Sequence, residues 1–164
     1  MTDELFLRYY EKYRNSVFSV IFGYVKDRDD ASDISQEVFM KLFGTKQDFE
    51  SEEHVKAWLI RVGINLSKNH LRDTARAGLS ELDENTPAPE KEDMGDVMAA
   101  VTELPEKYRL PIHLFYYEEM SIKEIARSLG LMEATVKTRL NRGRKKLEKA
   151  LRKEGGSYEY QYRI

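Results

Sequence analysis

A chain of 164 residues with no cysteine, 41% hydrophobic and 34% charged, is sized for one ordinary domain or two small helical ones. That excludes a large multidomain enzyme, a disulfide framework, thiolate metal sites and a thiol nucleophile. The net charge of −2 conceals a division: residues 1–76 hold 12 Lys and Arg against 13 Asp and Glu, residues 77–104 hold 1 against 8, and residues 105–164 hold 14 against 8. A near-neutral block, an acidic connector and a basic block are what separate partners for each piece would produce, although a charge run by itself is also the mark of a solvated face. The opening MTDELFLRYYEKYR mixes charges among its apolar residues, so neither a signal peptide nor a membrane span is expected and the expected compartment is the cytoplasm.

In chain order, Leu5 to Val25 places Tyr9, Tyr13, Val17 and Ile21 at four-residue steps, with Leu5, Phe6, Phe18 and Phe22 beside them, which predicts an amphipathic helix. Lys26 to Asp30 is a polar break, and Asp29 or Asp30 is the expected N-cap of a second helix with Ala31, Ile34, Val38, Phe39 and Leu42 inward. A third helix is expected from Glu53 to Arg72, with Val55, Trp58, Leu59, Val62 and Leu66 on one face. These three make a small bundle. Residues 77–96 carry two prolines, one positive charge and no sustained period, and read as a linker.

A short helix is expected from Val97 to Leu104, then a second opening at Pro105 with Tyr108, Ile112, Phe115 and Tyr116 as its stripe. Pro111 either lies in the first turn of a late-starting helix or removes an internal hydrogen bond and kinks it. Ser121 and Glu124 fit a capping box ahead of Ile122, Ile125, Ala126 and Leu129. Gly130 supplies a left-handed turn residue, and a last helix is expected from Met132 to Lys153. The predicted fold class is therefore all-α, with two small helical domains joined by a flexible acidic linker: 1–76, linker 77–96, 97–154 and a tail 155–164.

Helix, glycine turn and helix, with Ile125, Leu129, Val136 and Leu140 facing inward, form a helix-turn-helix, whose second helix enters the DNA major groove. From Met132 to Lys153 nine Lys and Arg stand against two acidic residues, a density that repels itself unless anions lie close. Lys137, Thr138, Asn141 and Arg142 fall opposite Val136 and Leu140; Arg142 and Lys137 suit guanine edges and Asn141 an adenine edge, while Arg139, Arg144, Lys145 and Lys146 suit phosphates. On the third helix Arg61, Asn65, Lys68 and Arg72 recur beside Trp58, and an indole with adjacent cations suits single-stranded bases. The same stripe also fits the wet side of an ordinary helix. Asp33, Gln36 and Glu37 share the polar side of the second helix, but no His or third carboxylate stands at ligand spacing, and no phosphate loop, nucleophile elbow or HExxH occurs. No catalytic residue, metal or cofactor is expected.

The strings DASDISQEVFMKLF (30–43), VKAWLIRVGINLSKNHLRD (55–73) and LPEKYRLPIHLFYYEEMSIKEIARSLGLMEATVKTRLNRGRKKL (104–147), in that order and spacing, resemble regions two and four of the extracytoplasmic-function sigma factors of bacterial RNA polymerase. The resemblance implies that Asp33, Gln36 and Glu37 dock on the clamp coiled coil of core RNA polymerase. It implies that Trp58, Arg61, Asn65 and Lys68 engage the minus-ten promoter element, with loop Gln47 to Ser51 cradling a flipped base. Lys137, Thr138, Asn141 and Arg142 become the minus-thirty-five readers, and the acidic linker becomes the segment threading toward the RNA exit path. Leu59 stands where housekeeping relatives carry a second tryptophan, which implies limited melting power and strict promoter matching. Implied partners are core RNA polymerase, promoter DNA and an anti-sigma factor, with no small-molecule substrate and no direct membrane insertion. The tail GGSYEYQYRI, with Tyr158, Tyr160 and Tyr162, has no counterpart in that pattern and is expected to be a frayed end. Two rival readings are a stand-alone helix-turn-helix regulator and a metal-dependent hydrolase; the Asp33/Gln36/Glu37 face opposes the first and the lack of converging ligands the second.

Overall fold

The computed structural model describes residues 1–78 and 96–153, and within them every regular element is helical. The first block is three helices: α1 (Asp3–Val25), α2 (Arg28–Gly44) and α3 (Glu52–Arg76). Thr2 caps α1 by accepting from Leu5 N–H, and Lys26, left-handed at φ 56°, closes it by donating its N–H to Phe22 O. The next residue, Asp27, is extended and its side chain accepts from Asp30 N–H at 2.9 Å, so Asp27 is the cap of α2, in place of the expected Asp29 or Asp30. The physical reason is the abruptness of the Lys26 turn: α2 begins at once, and Asp29 and Asp30 fall in its first turn, where their charge suits the helix dipole. Ser51 caps α3, accepting from His54 N–H, and α3 continues a turn past the expected Arg72 to Arg76. Tyr9, Tyr13, Val17 and Ile21 of α1 meet Ile34, Val38 and Leu42 of α2 and Val55 and Leu59 of α3 in one core.

The second block comprises α4 (Asp96–Glu103), α5 (Glu106–Ile112), a π turn (His113–Tyr117), α6 (Ile122–Leu129) and α7 (Glu133–Lys153). Pro105 caps α5 from outside, so Pro111 lies beyond the first turn and the late-start alternative is overturned. Lacking an N–H, Pro111 removes a helical bond, and directly after it the helix widens, with Glu118 N–H donating to His113 O five residues back. The capping box forms as expected: Ser121 accepts from Glu124 N–H at 3.1 Å, and the Glu124 carboxylate accepts from Ser121 N–H at 2.7 Å. Gly130, at φ 64°, turns the chain into α7. Of the expected linker 77–96, Ala77 caps the end of α3 and Asp96 opens α4, while residues 79–95, like the tail with Tyr158, Tyr160 and Tyr162, lie outside the described residues.

The two blocks share apolar packing. Val20 and Tyr24 of α1 and Ile60 and Ile64 of α3 are buried in the same cluster as Val101, Leu104, Leu114 and Ile125 of the second block. None of those four first-block residues belongs to the inward face expected from sequence, because each lies on a second side of its helix. Polar links also cross the junction: Arg109 Nη2 donates to Gly23 O at 2.8 Å, and Lys56 Nζ donates to Glu118 O at 2.6 Å and lies 3.2 Å from the Glu118 carboxylate.

Within the second block, α7 passes so close to α5 that a Cβ on Gly143 would stand 2.6 Å from Ile112 Cδ1 and 3.2 Å from Tyr108 Cβ. Gly143→Val therefore forces two buried side chains apart, and chemical denaturation is expected to show a loss of about 1–3 kcal/mol despite the helix propensity gained over glycine.

Candidate polymerase and nucleic-acid interfaces

The burial of Ala31, Ile34, Val38 and Leu42 fixes which side of α2 faces outward. Asp33, Gln36 and Glu37 are all exposed there, and Glu37 pairs with Lys41 at 3.4 Å, a surface contact of small energy. Next to them the structure exposes two apolar residues that the sequence reading left out of this face, Met40 at 68% and Phe43 at 49%. The signal was available: positions 33, 36, 37, 40 and 43 step by threes and fours along one stripe. Phe43 is steadied by Phe6 of α1, edge to face at 5.2 Å. The outer face of α2 is thus a mixed surface, acidic at one end and apolar at the other.

A second surface lies along α3 and the loop before it. Phe49 packs edge to face on Trp58 at 5.7 Å and on His54 at 5.6 Å, which holds loop 45–51 against the helix. Trp58 and Arg61 are half-buried, while Asn65 and Lys68 are exposed. Trp58 therefore packs on the first core and still presents surface, so its core and stacking readings are compatible. Arg72 is turned aside: its Nη2 donates to Asn69 Oδ1 at 3.2 Å and its Nε lies 3.7 Å from Asp73.

The third surface is α7. Val136, Leu140, Gly143, Leu147 and Leu151 are buried, and Lys137, Thr138, Asn141 and Arg142 are exposed on the opposite side, with Lys145 and Lys146 a turn further on. Thr138 spends its hydroxyl proton on Ala134 O at 3.0 Å and keeps acceptor capacity outward. Arg139 and Arg144, expected at phosphates, are half-buried; Arg144 Nη1 donates to the Tyr116 hydroxyl at 3.0 Å, and Arg139 lies near enough to Tyr24 of α1 for its charge to act on that phenol.

Folding also brings α5 beside the recognition helix, which sequence reading missed. Lys107, Tyr108, Thr138, Arg139 and Arg142 line one groove, with the Lys107 and Lys146 ammonium groups 5.0 and 5.7 Å from the Tyr108 ring centre. Burial pushes the Tyr108 phenol up, but Lys107 and Arg142 outweigh it and hold the group below the usual tyrosine value. A phenol flanked by cations beside a recognition helix is chemistry suited to a phosphate oxygen. Among the described residues no cluster of His, Cys, Asp and Glu could hold a metal ion, and no helix is long and apolar enough to cross a membrane.

Fold and surfaces together define a two-domain helical protein with a helix-turn-helix in its second domain. Comparison with known families places it further. Residues 9–77 match Sigma-70 region 2, and residues 94–147 match Sigma-70, region 4. The RNA polymerase sigma factor SigV of Bacillus subtilis is 31% identical over 148 residues, covering 87% of this chain and 88% of that protein. The ECF RNA polymerase sigma factor SigW of the same organism is 29% identical over 159 residues, covering 85% of each. In fold the chain is similar to the sigma factor RpoE of Bartonella quintana, solved with the anti-sigma factor NepR, at a TM-score of 0.72 and 22% identity over 90% of this chain and 96% of that one. It is also similar to CnrH, solved with the cytosolic domain of CnrY, at a TM-score of 0.63 and 22% identity over 93% and 91%. The chain belongs to the extracytoplasmic-function sigma factors, which direct RNA polymerase to initiate transcription at specific promoters.

Neighbouring residues of α7 test the division between its two sides. Leu140→Ala, at a site 2% exposed, is expected to cost about 2–5 kcal/mol in denaturant unfolding, while Asn141→Ala stays within about 0.5 kcal/mol.

Proposed function

We propose that each exposed surface serves one step of initiation. The outer face of α2, with Asp33, Gln36 and Glu37, docks on the clamp coiled coil of core polymerase. The α3 stripe of Trp58, Arg61, Asn65 and Lys68, with loop Gln47 to Ser51, captures the non-template strand of the minus-ten element. Lys137, Thr138, Asn141 and Arg142 read the minus-thirty-five element in the major groove, and Lys145 and Lys146 hold phosphates, joined by Lys107 and Tyr108. Arg139 and Arg144, expected at phosphates and half-buried beside that front, support it from behind. The observation that carries this reading is the outward projection of Lys137, Thr138, Asn141 and Arg142 from a helix whose other side is wholly buried.

The protein acts in the cytoplasm, catalyses no reaction itself and takes no cofactor. The two solved relatives named above are complexes with another protein, RpoE with an anti-sigma factor by its description and CnrH with CnrY, and this supports an anti-sigma partner here. With no cysteine in the chain, any redox sensing belongs to that partner. A stand-alone regulator would bind promoter duplex unaided, whereas this protein is expected to give promoter-specific transcripts only with core polymerase.

Reconstituted holoenzyme tests the assignments. Glu37→Lys and Asp33→Arg are expected to weaken binding to core at physiological salt by about tenfold with helical content intact, because reversed charge meets like charge on the partner. Unchanged affinity removes the docking role from α2. Asn65→Ala is expected to slow open-complex formation on duplex promoters and to be rescued on a template already unpaired at the minus-ten element. An equal defect on both templates returns Asn65 to an ordinary solvated helix position.

A further inference from the structure

The reading side of α7 is not uniform along its length. Its later part carries Lys137, Asn141 and Arg142, with Lys145 and Lys146 beyond, whereas residues 131–136 hold no cation and one carboxylate, Glu133. Phosphate is therefore not what the first turn is built to meet. Ala134 stands four residues before Thr138, which stands four before Arg142, so one exposed row runs from the cationic end to a small apolar one. Thr138 donates its hydroxyl proton to Ala134 O at 3.0 Å, so its oxygen has no proton to give the N7, O6 and O4 acceptors that line most of the major-groove edge, and its methyl group is left on the outer surface. Met132, just before the helix, is 74% exposed, more than any other large apolar side chain among the described residues. Its carbonyl accepts from Val136 N–H at 3.1 Å, which puts Met132 at the cap position, where Thr2, Asp27, Ser51 and Ser121 serve other helices with a side-chain oxygen. A thioether forgoes that stabilisation.

We propose that this end of the row, the Thr138 methyl with Ala134 and Met132, reads the 5-methyl group of a thymine in the major groove by apolar contact. This rests on the minus-thirty-five reading given above. The thymine methyl is the apolar group that a base pair presents in the major groove, and Ala and the Thr methyl are among its usual partners. A recognition helix sets its N-terminal residues against base edges, which is where these three stand. In water they gain nothing, but covering a base methyl removes apolar surface on both sides. Met132 contributes an unbranched, flexible side chain that adapts to the methyl's position. The exposed Glu133 beside them repels phosphate and so disfavours a sugar-phosphate strand in that place. A helix rises about 1.5 Å per residue and B-form DNA about 3.4 Å per base pair, so Thr138 reaches a pair within about two of the one that Arg142 reads. The element is thus expected to hold an A·T pair that close to a G·C pair.

The experiment uses holoenzyme reconstituted from the full chain and core polymerase, with the minus-thirty-five sequence it selects from random DNA. Each thymine of that sequence is replaced in turn by deoxyuridine, which lacks only the 5-methyl group, and binding is measured for wild type and variants. At one position the wild type is expected to bind the thymine duplex about fourfold more tightly than the deoxyuridine duplex, as the loss of one buried methyl group implies. Thr138→Ser keeps the hydroxyl and deletes the methyl, and is expected to lower that ratio to about twofold or less. Thr138→Val keeps the methyl and deletes the hydroxyl, and the ratio is expected to persist. Met132→Ser is expected to lower it as Thr138→Ser does. All three side-chain changes are at exposed positions, and circular dichroism checks that helical content is kept. A selected sequence with no A·T pair, no deoxyuridine penalty at any position, or a ratio that survives Thr138→Ser and disappears in Thr138→Val overturns the methyl contact; a ratio unchanged in Met132→Ser overturns the part of Met132. Failure of the minus-thirty-five reading is distinct: selection would then return no preferred sequence at that element.

Discussion

The arrangement depends on α3 being packed from two sides. Val55 and Leu59 face the first core, Ile60 and Ile64 face the second, and Ser67 is buried with its hydroxyl donating to Gly63 O at 2.8 Å. With 3.6 residues per turn, a helix flanked on two sides keeps one free strip, and on α3 that strip carries Arg61, Asn65 and Lys68. Burial of each large aliphatic side chain contributes about 1.5–3 kcal/mol, so the two packed sides fix the rotation of the helix and with it the aim of the strip. The strip proposed to meet nucleic acid is positioned by what lies behind it.

The same logic holds α7 from one side only. Its buried row, from Val136 to Leu151, seats it on α5, α4 and α6, leaving more than half of its circumference for a dense positive charge. Self-repulsion among these cations is tolerated because the apolar row and the close approach at Gly143 lock the helix in place, and because Tyr108 and Tyr116 give Lys107, Lys146 and Arg144 a neutral neighbour. The charge that weakens an isolated helix is what draws it to DNA.

The α2 surface works by a different balance. Its acidic side chains are exposed, Glu37 in a surface pair with Lys41, and cost little to present, and the exposed Met40 and Phe43 beside them supply area that gains free energy only when a partner covers it. An interface built this way takes orientation from charge and affinity from apolar contact.

Periodicity, charge and turn chemistry made most of the fold legible in the sequence: seven helices within a few residues of their observed ends, the Ser121–Glu124 capping box, the Gly130 turn, and the outward side of α7. These are local properties, set by spacing within one helix or by one residue's preferred backbone. The polar face of α2 was legible for the same reason. Other features needed the tertiary structure. Asp27 became a cap through the left-handed Lys26 before it, and Pro111 took its place inside α5 once Pro105 fixed where that helix starts. Lys107 and Tyr108 reached the recognition helix only by the packing of α5 on α7. Val20, Tyr24, Ile60 and Ile64 looked like the far sides of helices already satisfied by one core, and a single amphipathic period carries no mark of a second partner. Which second surface a helix buries is decided by an element distant in sequence, so the junction of the blocks, with Lys56 against Glu118, was settled by tertiary structure alone.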